Sequence, residues 1–319
     1  MEVKTIGVIG AGQMGSGIAQ VAAAAGFEVI MNDIKDEFVA RGVKTIDTSL
    51  GRLVKKEKLS VEDQKAILGR IKTSTRLEDM AGADFVVEAA TENVALKLEI
   101  FRKLDAICRP GVVLSSNTSS ISITKIAGAT SRPELVIGMH FMNPVPMMAL
   151  VEVIRGEDTP DSVMDAVCGL VESIGKRPVR VEKDVPGFIG NRMLHALWRE
   201  AVSLVERGIA SPQDVDLVAR LTFGLRLPVM GPLENMDLVG LDLIERIHEY
   251  LLADLADNHA PAQCLRDSVT QGRLGVKSGA GFYDWRAREP AELIRRRDTQ
   301  IVRQLAFLRE LEDPENHPQ

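Results

Sequence analysis

The sequence predicts an α/β chain: a doubly wound, mostly parallel sheet in the first half, followed by an all-helical C-terminal domain. Three observations carry this. Short β-branched runs alternate with helical stretches from residue 4 to residue 181, the pattern of strand–helix–strand units. A glycine-rich turn separates the first strand from the first helix. From Phe188 onward nearly every segment has helical spacing.

The chain has 319 residues, enough for about two domains of usual size. The expected division is 1–185 and 186–319, with 286–319 a C-terminal extension. Hydrophobic content of 45% and charged content of 26% are ordinary for a soluble globular protein. A net charge of −6 with no long basic run argues against nucleic acid or an anionic membrane as the main partner. Cys108, Cys168 and Cys264 are scattered. They give neither a disulfide framework nor a metal spacing, so no metal is expected, and they fit a reducing, cytoplasmic setting. The first residues run straight into a strand with no leader pattern. No apolar run approaches the roughly 20 residues of a membrane span. Asn117-Thr118-Ser119 matches a glycosylation sequon, read as coincidental without a secretion signal.

Residues 4–9 read as a buried strand and lead into Gly10-Ala11-Gly12-Gln13-Met14-Gly15. An Ala-rich helix over 16–25 stops at Gly26, and a second strand over 28–31 ends at Asn32-Asp33. This is G-x-G-x-x-G between strand and helix, with an acid 18 residues after the last glycine. In that setting each part has a job: Gly10 permits the tight turn, Gly12 lets a pyrophosphate reach backbone N–H groups, and Gly15 lets the helix pack on the sheet. Asp33 suits a ribose diol and would repel a 2′-phosphate, so a Rossmann-type domain binding NAD rather than NADP is expected.

A helix is expected over 36–58, ending in the basic cluster Lys55, Lys56 and Lys58. The cluster is either a solvated face or a site for an anionic substrate handle. Ser60 reads as the cap of the next helix, with Glu62 and Asp63 in its first turn. Residues 84–89 and 112–115 read as strands with a helix over 94–107 between them. Loops at the carboxyl ends of such strands line a ligand crevice. That places Glu92, Ser119 and Asn143 near cofactor or substrate, unless they are only turn and cap residues.

The segment 136–154 holds one His and one Glu, His140 and Glu152, on two apolar runs separated by Asn143-Pro144-Val145-Pro146. Proline lacks the N–H a strand needs, so the chain turns there. A hairpin centred on Pro146 would bring His140 and Glu152 face to face. A carboxylate beside an imidazole fixes its tautomer and suits it to general-base work. The alternative is a Glu on an edge strand and a His capping a loop. Further elements are expected as a helix over 159–174 and a strand over 177–181, after which Asp184-Val185-Pro186-Gly187 ends the alternation.

In the second half, helices are expected over 189–207, from Ser211-Pro212, over 233–255, after Pro261, and as an exposed helix over 287–311. Asn191, near the start of the first of these, is either a cap or a hydrogen-bond donor to a substrate oxygen. Gly275 to Trp285 reads as a turn that packs Phe282 and Trp285 on the core. The last residues, 312–319, are polar and expected to be loose.

The segments IGVIGAGQMGSGIA, VVEAATENVALK, SSNTSSISIT, MHFMNPVPMMALVEVI, DVPGFIGNR, GPLENMDLVGLD and KSGAGFYDW, taken in order over residues 4–285, resemble the 3-hydroxyacyl-CoA dehydrogenase family, and in particular its bacterial 3-hydroxybutyryl-CoA branch. The resemblance implies NAD-dependent oxidation of the (3S) alcohol of an acyl-CoA, with His140 as base and Glu152 orienting it. It implies that Ser119 and Asn191 hold the substrate's C3 oxygen. Glu92, Lys97, Asn143 and Lys277 would contact the cofactor with Gly10, Gly12, Gly15 and Asp33. Gln13, Met14, Ala89 and Ser119 join them as expected cofactor positions. Ser49 and Lys56 match positions that contact the CoA substrate. The family is dimeric through its helical domain, so a homodimer is implied. His195, His248, His259 and His317 are expected to be structural or on the surface. The chain runs 34 residues past Trp285, beyond the usual end of the short bacterial enzymes. A similar tail occurs in relatives that oxidise non-CoA hydroxy compounds, such as intermediates of vitamin B6 degradation.

Overall fold

In the computed structural model, which describes residues 2–312, the β-branched runs of the first half become strands of one sheet. The elements in chain order are β1 (Thr5–Ile9), α1 (Gln13–Ala24), β2 (Glu28–Asn32), α2 (Asp36–Val54), α3 (Val61–Gly69), β3 (Ile71–Ser74), β4 (Phe85–Glu88), α4 (Val94–Ile107), β5 (Val113–Ser116), α5 (Ile123–Ala127), β6 (Val136–Phe141), β7 (Leu150–Arg155), α6 (Asp161–Ser173) and β8 (Arg177–Val181). The sheet order is β3-β2-β1-β4-β5-β6-β7-β8, with every neighbouring pair parallel except β6 and β7. This is the doubly wound, mostly parallel sheet expected. Helices cover both faces, and alternate strand residues feed two cores. Val29, Phe85, Val87 and Val153 join one core with Ile18 of α1 and Met164 of α6, and Val86, Leu114 and Ile154 join another with Phe101 and Leu104 of α4.

Strand register brings the carboxyl ends of β1, β4 and β5 into line, and β6 runs three residues beyond them. Ile9 lies opposite Glu88, Glu88 opposite Ser116, and Ser116 opposite Gly138. The strand order reverses between β1 and β4, and such a reversal opens a crevice at the carboxyl ends.

The antiparallel β6–β7 pair sets His140 directly opposite Glu152. Its connection turns at Pro144, whose carbonyl accepts from the N–H groups of both Met147 and Met148, and the Asn143–Pro144 bond is cis. The edge-strand reading of Glu152 is overturned, because β8 pairs in parallel along the far side of β7. A pair of apolar runs joined by a turn does not itself reveal a third strand that arrives through a crossover helix.

Several boundaries differ from expectation. Helix α1 begins at Gln13, so Gln13 and Met14 belong to its first turn. Helix α2 stops at Val54, and the basic cluster follows it in a turn where Glu57 has φ 56°. Strand β3 and helix α5 were not anticipated: each has five residues or fewer, too short to display a period. Ser60 caps α3 as expected, its hydroxyl accepting from the Asp63 N–H.

The chain divides at Arg192 and Met193 into two compact units. Helix α7 (Gly190–Glu206) crosses the division, and the second unit continues with α8 (Pro212–Leu221), α9 (Phe223–Arg226), α10 (Pro232–Val239), α11 (Leu241–Leu251), α12 (Gln263–Thr270) and α13 (Pro290–Glu312). Ser211 caps α8 and Pro212 opens it. The single helix expected over 233–255 is two: Gly240 at φ 103° breaks it between α10 and α11. Phe282 is not packed on a core; it is exposed, while Trp285 meets Tyr283 edge-on. Beyond Phe188 no described residue is buried. No helix among the described residues is long and apolar enough to cross a membrane. The expected loose end falls almost wholly outside the described residues, as does His317.

Candidate active site

The ends of β6 and β7 build the first part of the site. His140 Nδ1 and Glu152 Oε2 are 2.8 Å apart, and both side chains are buried. Glu152 Oε1 accepts from the N–H groups of Ile189 (3.0 Å) and Gly190 (2.8 Å), at the start of α7. The chain reaches that position through Gly187 and Phe188, both at positive φ (77° and 47°). Phe188 is itself buried and its ring tilts against the His140 imidazole. Burial alone would raise the Glu152 pKa. The His140 ring and the two N–H groups outweigh it and hold the carboxyl below its ordinary value of 4.5. An ionised Glu152 only accepts, so the neutral tautomer of His140 that suits this contact has its hydrogen on Nδ1 and its lone pair on Nε2.

The loops after β4 and β5 supply the second part. Glu92 Oε1 accepts from the hydroxyls of Thr118 (2.6 Å), Ser119 (3.2 Å) and Ser120 (3.1 Å) and from the Ser119 and Ser120 N–H groups. Burial raises its pKa, but these bonds and Lys97 outweigh it and leave the group lowered. Asn191 Nδ2 lies 3.5 Å from the Ser119 carbonyl, which it faces as donor. The structure therefore brings together Ser119, Glu92 and Asn191, three residues 99 positions apart at the extremes.

Lys97 is enclosed rather than presented to a ligand. Its ammonium contacts both oxygens of Glu88 (2.7 and 2.9 Å), with Glu92 Oε2 at 3.5 Å. Lys97 is 1% and Glu88 0% exposed, and Ser116 adds a bond to Glu88 Oε2. The sequence reading missed Glu88, although an acid at the end of an apolar strand was a signal. It also missed Asn117, whose Oδ1 accepts from the Phe141 N–H and ties the β5 loop to the residue after His140.

The crevice at the strand reversal is a cleft of about 520 Å³, lined by Gly10, Gly12, Gln13, Met14, Asp33 and Ala89 among others. A glycine loop and an acid in one cleft are the groups a dinucleotide needs. Gly10 has φ 95°, and a Cβ there would fall 2.6 Å from the Ala89 carbonyl oxygen. A Cβ on Gly15 would fall 1.7 Å from the Gly10 oxygen, whereas one on Gly12 would meet nothing within 4 Å, so the loop is tight behind and open in front. Asp33 Oδ2 accepts from the Ala11 N–H and Oδ1 from the Ile34 N–H, leaving each oxygen a further lone pair. Ile34, Leu77 and Ile100 add apolar wall that the sequence did not announce. Asn143 Oδ1 accepts from Gln13 Nε2 at 2.9 Å, which links the β6–β7 connection to the glycine loop.

Two expected residues of the first unit are not drawn into these contacts. Ser49 lies on α2, half-buried, and Lys56 is exposed in the turn beyond it. Lys277 belongs to the second unit, exposed on the 3-10 turn Val276–Ser278. No group of three metal-ligating side chains occurs among the described residues.

Comparison with known proteins shows the family. Residues 5–185 match the model of the 3-hydroxyacyl-CoA dehydrogenase NAD-binding domain, and residues 187–285 that of the family's C-terminal domain. The chain is 48% identical over 286 residues to a probable 3-hydroxybutyryl-CoA dehydrogenase of Bacillus subtilis, covering 89% of this chain and 98% of that one. The (S)-3-hydroxybutyryl-CoA dehydrogenase of Ralstonia eutropha superposes with a TM-score of 0.77 at 46% identity, over 89% of this chain and 99% of that one. A 5-formyl-3-hydroxy-2-methylpyridine 4-carboxylic acid 5-dehydrogenase, described as an NAD-dependent dismutase, superposes with a TM-score of 0.88 at 32% identity, over 97% and 99%. The chain belongs to the 3-hydroxyacyl-CoA dehydrogenase family and is an NAD-dependent oxidoreductase.

Proposed function

We propose that the protein interconverts a (3S)-3-hydroxyacyl-CoA, with 3-hydroxybutyryl-CoA foremost, and its 3-keto form. The observation that carries the chemistry is the buried His140–Glu152 pair. Glu152 fixes the imidazole so that Nε2 is the free base, and stabilises the imidazolium once the proton has moved. In oxidation, His140 takes the proton of the C3 hydroxyl. In reduction it returns that proton to the oxygen. NAD, when bound, supplies the hydride acceptor. Ser119 and Asn191 hold the C3 oxygen, and Ser49 and Lys56 meet the CoA moiety. Asp33, Gln13, Met14, Ala89, Glu92, Asn143 and Lys277 serve the cofactor, as do the glycines. Lys97 serves it by holding Glu92, given the 3.5 Å separation of the two charges.

Residues 1–185 form the NAD-binding domain in this reading, and 186–319 carry self-association as a homodimer. The support for a homodimer is the absence of any buried described residue beyond Phe188 beside many exposed leucines. The protein works in the cytoplasm, in keeping with three free cysteines.

A second reading has a specific observation in its favour: one superposition covering 97% of the chain, and so extending past residue 285, is with a 5-formyl-3-hydroxy-2-methylpyridine 4-carboxylic acid 5-dehydrogenase. In that reading the substrate is a hydroxymethyl or formyl heterocycle and Lys56 is idle. NADH oxidation with acetoacetyl-CoA, free acetoacetate and a formylpyridine carboxylate separates the two. Turnover confined to acetoacetyl-CoA is the expected result, and turnover confined to the pyridine overturns it.

A further inference from the structure

We infer that Lys176 is a positioning residue for cofactor binding: its ammonium holds the β6–β7 connection so that Asn143 meets Gln13 of the glycine loop. The inference rests on the reading of Asn143 as a cofactor contact.

Lys176 follows Gly175, at φ 73°, in the turn between α6 and β8. It is 8% exposed, and its Nζ donates to the carbonyls of Val145 and Met148, each at 2.7 Å. No carboxylate among the described residues pairs with it, in contrast to Lys97, whose burial is offset by Glu88. Lysine is seldom buried without a counter-ion, because desolvation penalises the charge. Burial pushes this amine down to about 8. A cost of that kind needs a return, and the geometry supplies one.

The segment from Asn143 to Met148 cannot hold its own shape. Pro144 and Pro146 offer no N–H, and the free N–H groups of Met147 and Met148 both go to Pro144. The carbonyls of Val145 and Met148 therefore need a donor from elsewhere in the fold. Lys176 reaches both at once. On the opposite side Val145 presses on α1: a Cβ on Gly17 would lie 2.8 Å from the Val145 Cβ. The connection is thus clamped between the cofactor helix and an ammonium. Asn143, at its head, bonds Gln13 in the first turn of that same helix. The next residue extends the tie, since the Arg177 N–H donates to the Ala149 carbonyl.

The test is NADH affinity and steady-state kinetics of the full-length protein carrying Lys176→Met, which keeps the apolar stem and removes the donors. NADH affinity is expected to fall about tenfold, the worth of a hydrogen bond to a charged group, with the KM for the acyl substrate within about twofold. Asn143→Ala is expected to weaken NADH comparably, and the double variant little further, because both act on one contact. Lys176→Gln, which retains one amide donor group, is expected between Lys176→Met and the parent, and it serves if Lys176→Met does not fold. A folded Lys176 variant with parental NADH affinity overturns the inference even if its melting temperature drops, as does an additive double variant. If Asn143→Ala binds NADH normally, the cofactor reading of Asn143 fails. A defective Asn143→Ala beside a normal Lys176→Met defeats the inference alone.

Discussion

The two units differ in how far they shield their apolar side chains from water. Residues up to Arg192 bury Phe85, Phe101, Met31 and Val153 completely between sheet and helices. The unit beyond has no buried described residue and leaves Leu238 75% and Leu233 73% exposed. The buried His140–Glu152 and Lys97–Glu88 pairs lie entirely in the first unit. A rigid, dry core is what the proton transfer proposed for His140 and Glu152 requires. A helical unit with uncovered apolar faces is what association requires.

Substitutions that separate these roles should differ in size and kind. His140→Ala is expected to cut turnover by about 10²–10⁴-fold, with NADH affinity nearly unchanged; near-parental turnover would remove the base assignment. Lys97→Met leaves the Glu88 charge buried without its partner and should cost about 3–5 kcal/mol in denaturant unfolding. Phe85→Ala should cost a similar 3–5 kcal/mol. By contrast, Leu238→Ala should change the stability of isolated chains by no more than about 0.5 kcal/mol, while weakening self-association in sedimentation experiments. Equal destabilisation by Phe85→Ala and Leu238→Ala in dilute solution would erase the distinction between the units.

The smallest expected effect is on acid stability. The folded-state pKa of Glu152 is lowered, so its contribution is fully present above the ordinary value of 4.5 and is lost as pH falls through the folded value. Glu152→Gln should therefore flatten the decline of melting temperature below about pH 4.5, and an unchanged decline would mean that Glu152 is not the group protonated there.

How much was legible in advance depended on how far each signal reached along the chain. The glycine loop was legible because Gly10, Gly12 and Gly15 act within one turn, and the His140–Glu152 register because a hairpin is symmetric about its bend. Gly240 was a visible glycine, yet its break went unread because the apolar pattern continues on both sides. The Lys97–Glu88 pair and the Asn117 bond went unread because strand β4 and helix α4, or β5 and β6, meet only after the sheet has formed. Lys176 gave no signal at all, since a lysine after a helix-ending glycine reads as solvated.

The sequence by itself determined the alternation of strands and helices, the glycine-rich loop and the facing of His140 and Glu152 across the β6–β7 hairpin, since spacing and backbone conformational limits act locally. Tertiary structure alone decided which polar groups are buried, which carboxylate each one meets, and that β8 encloses Glu152. Those outcomes depend on which distant segments exclude water from one another, and that is settled only by packing.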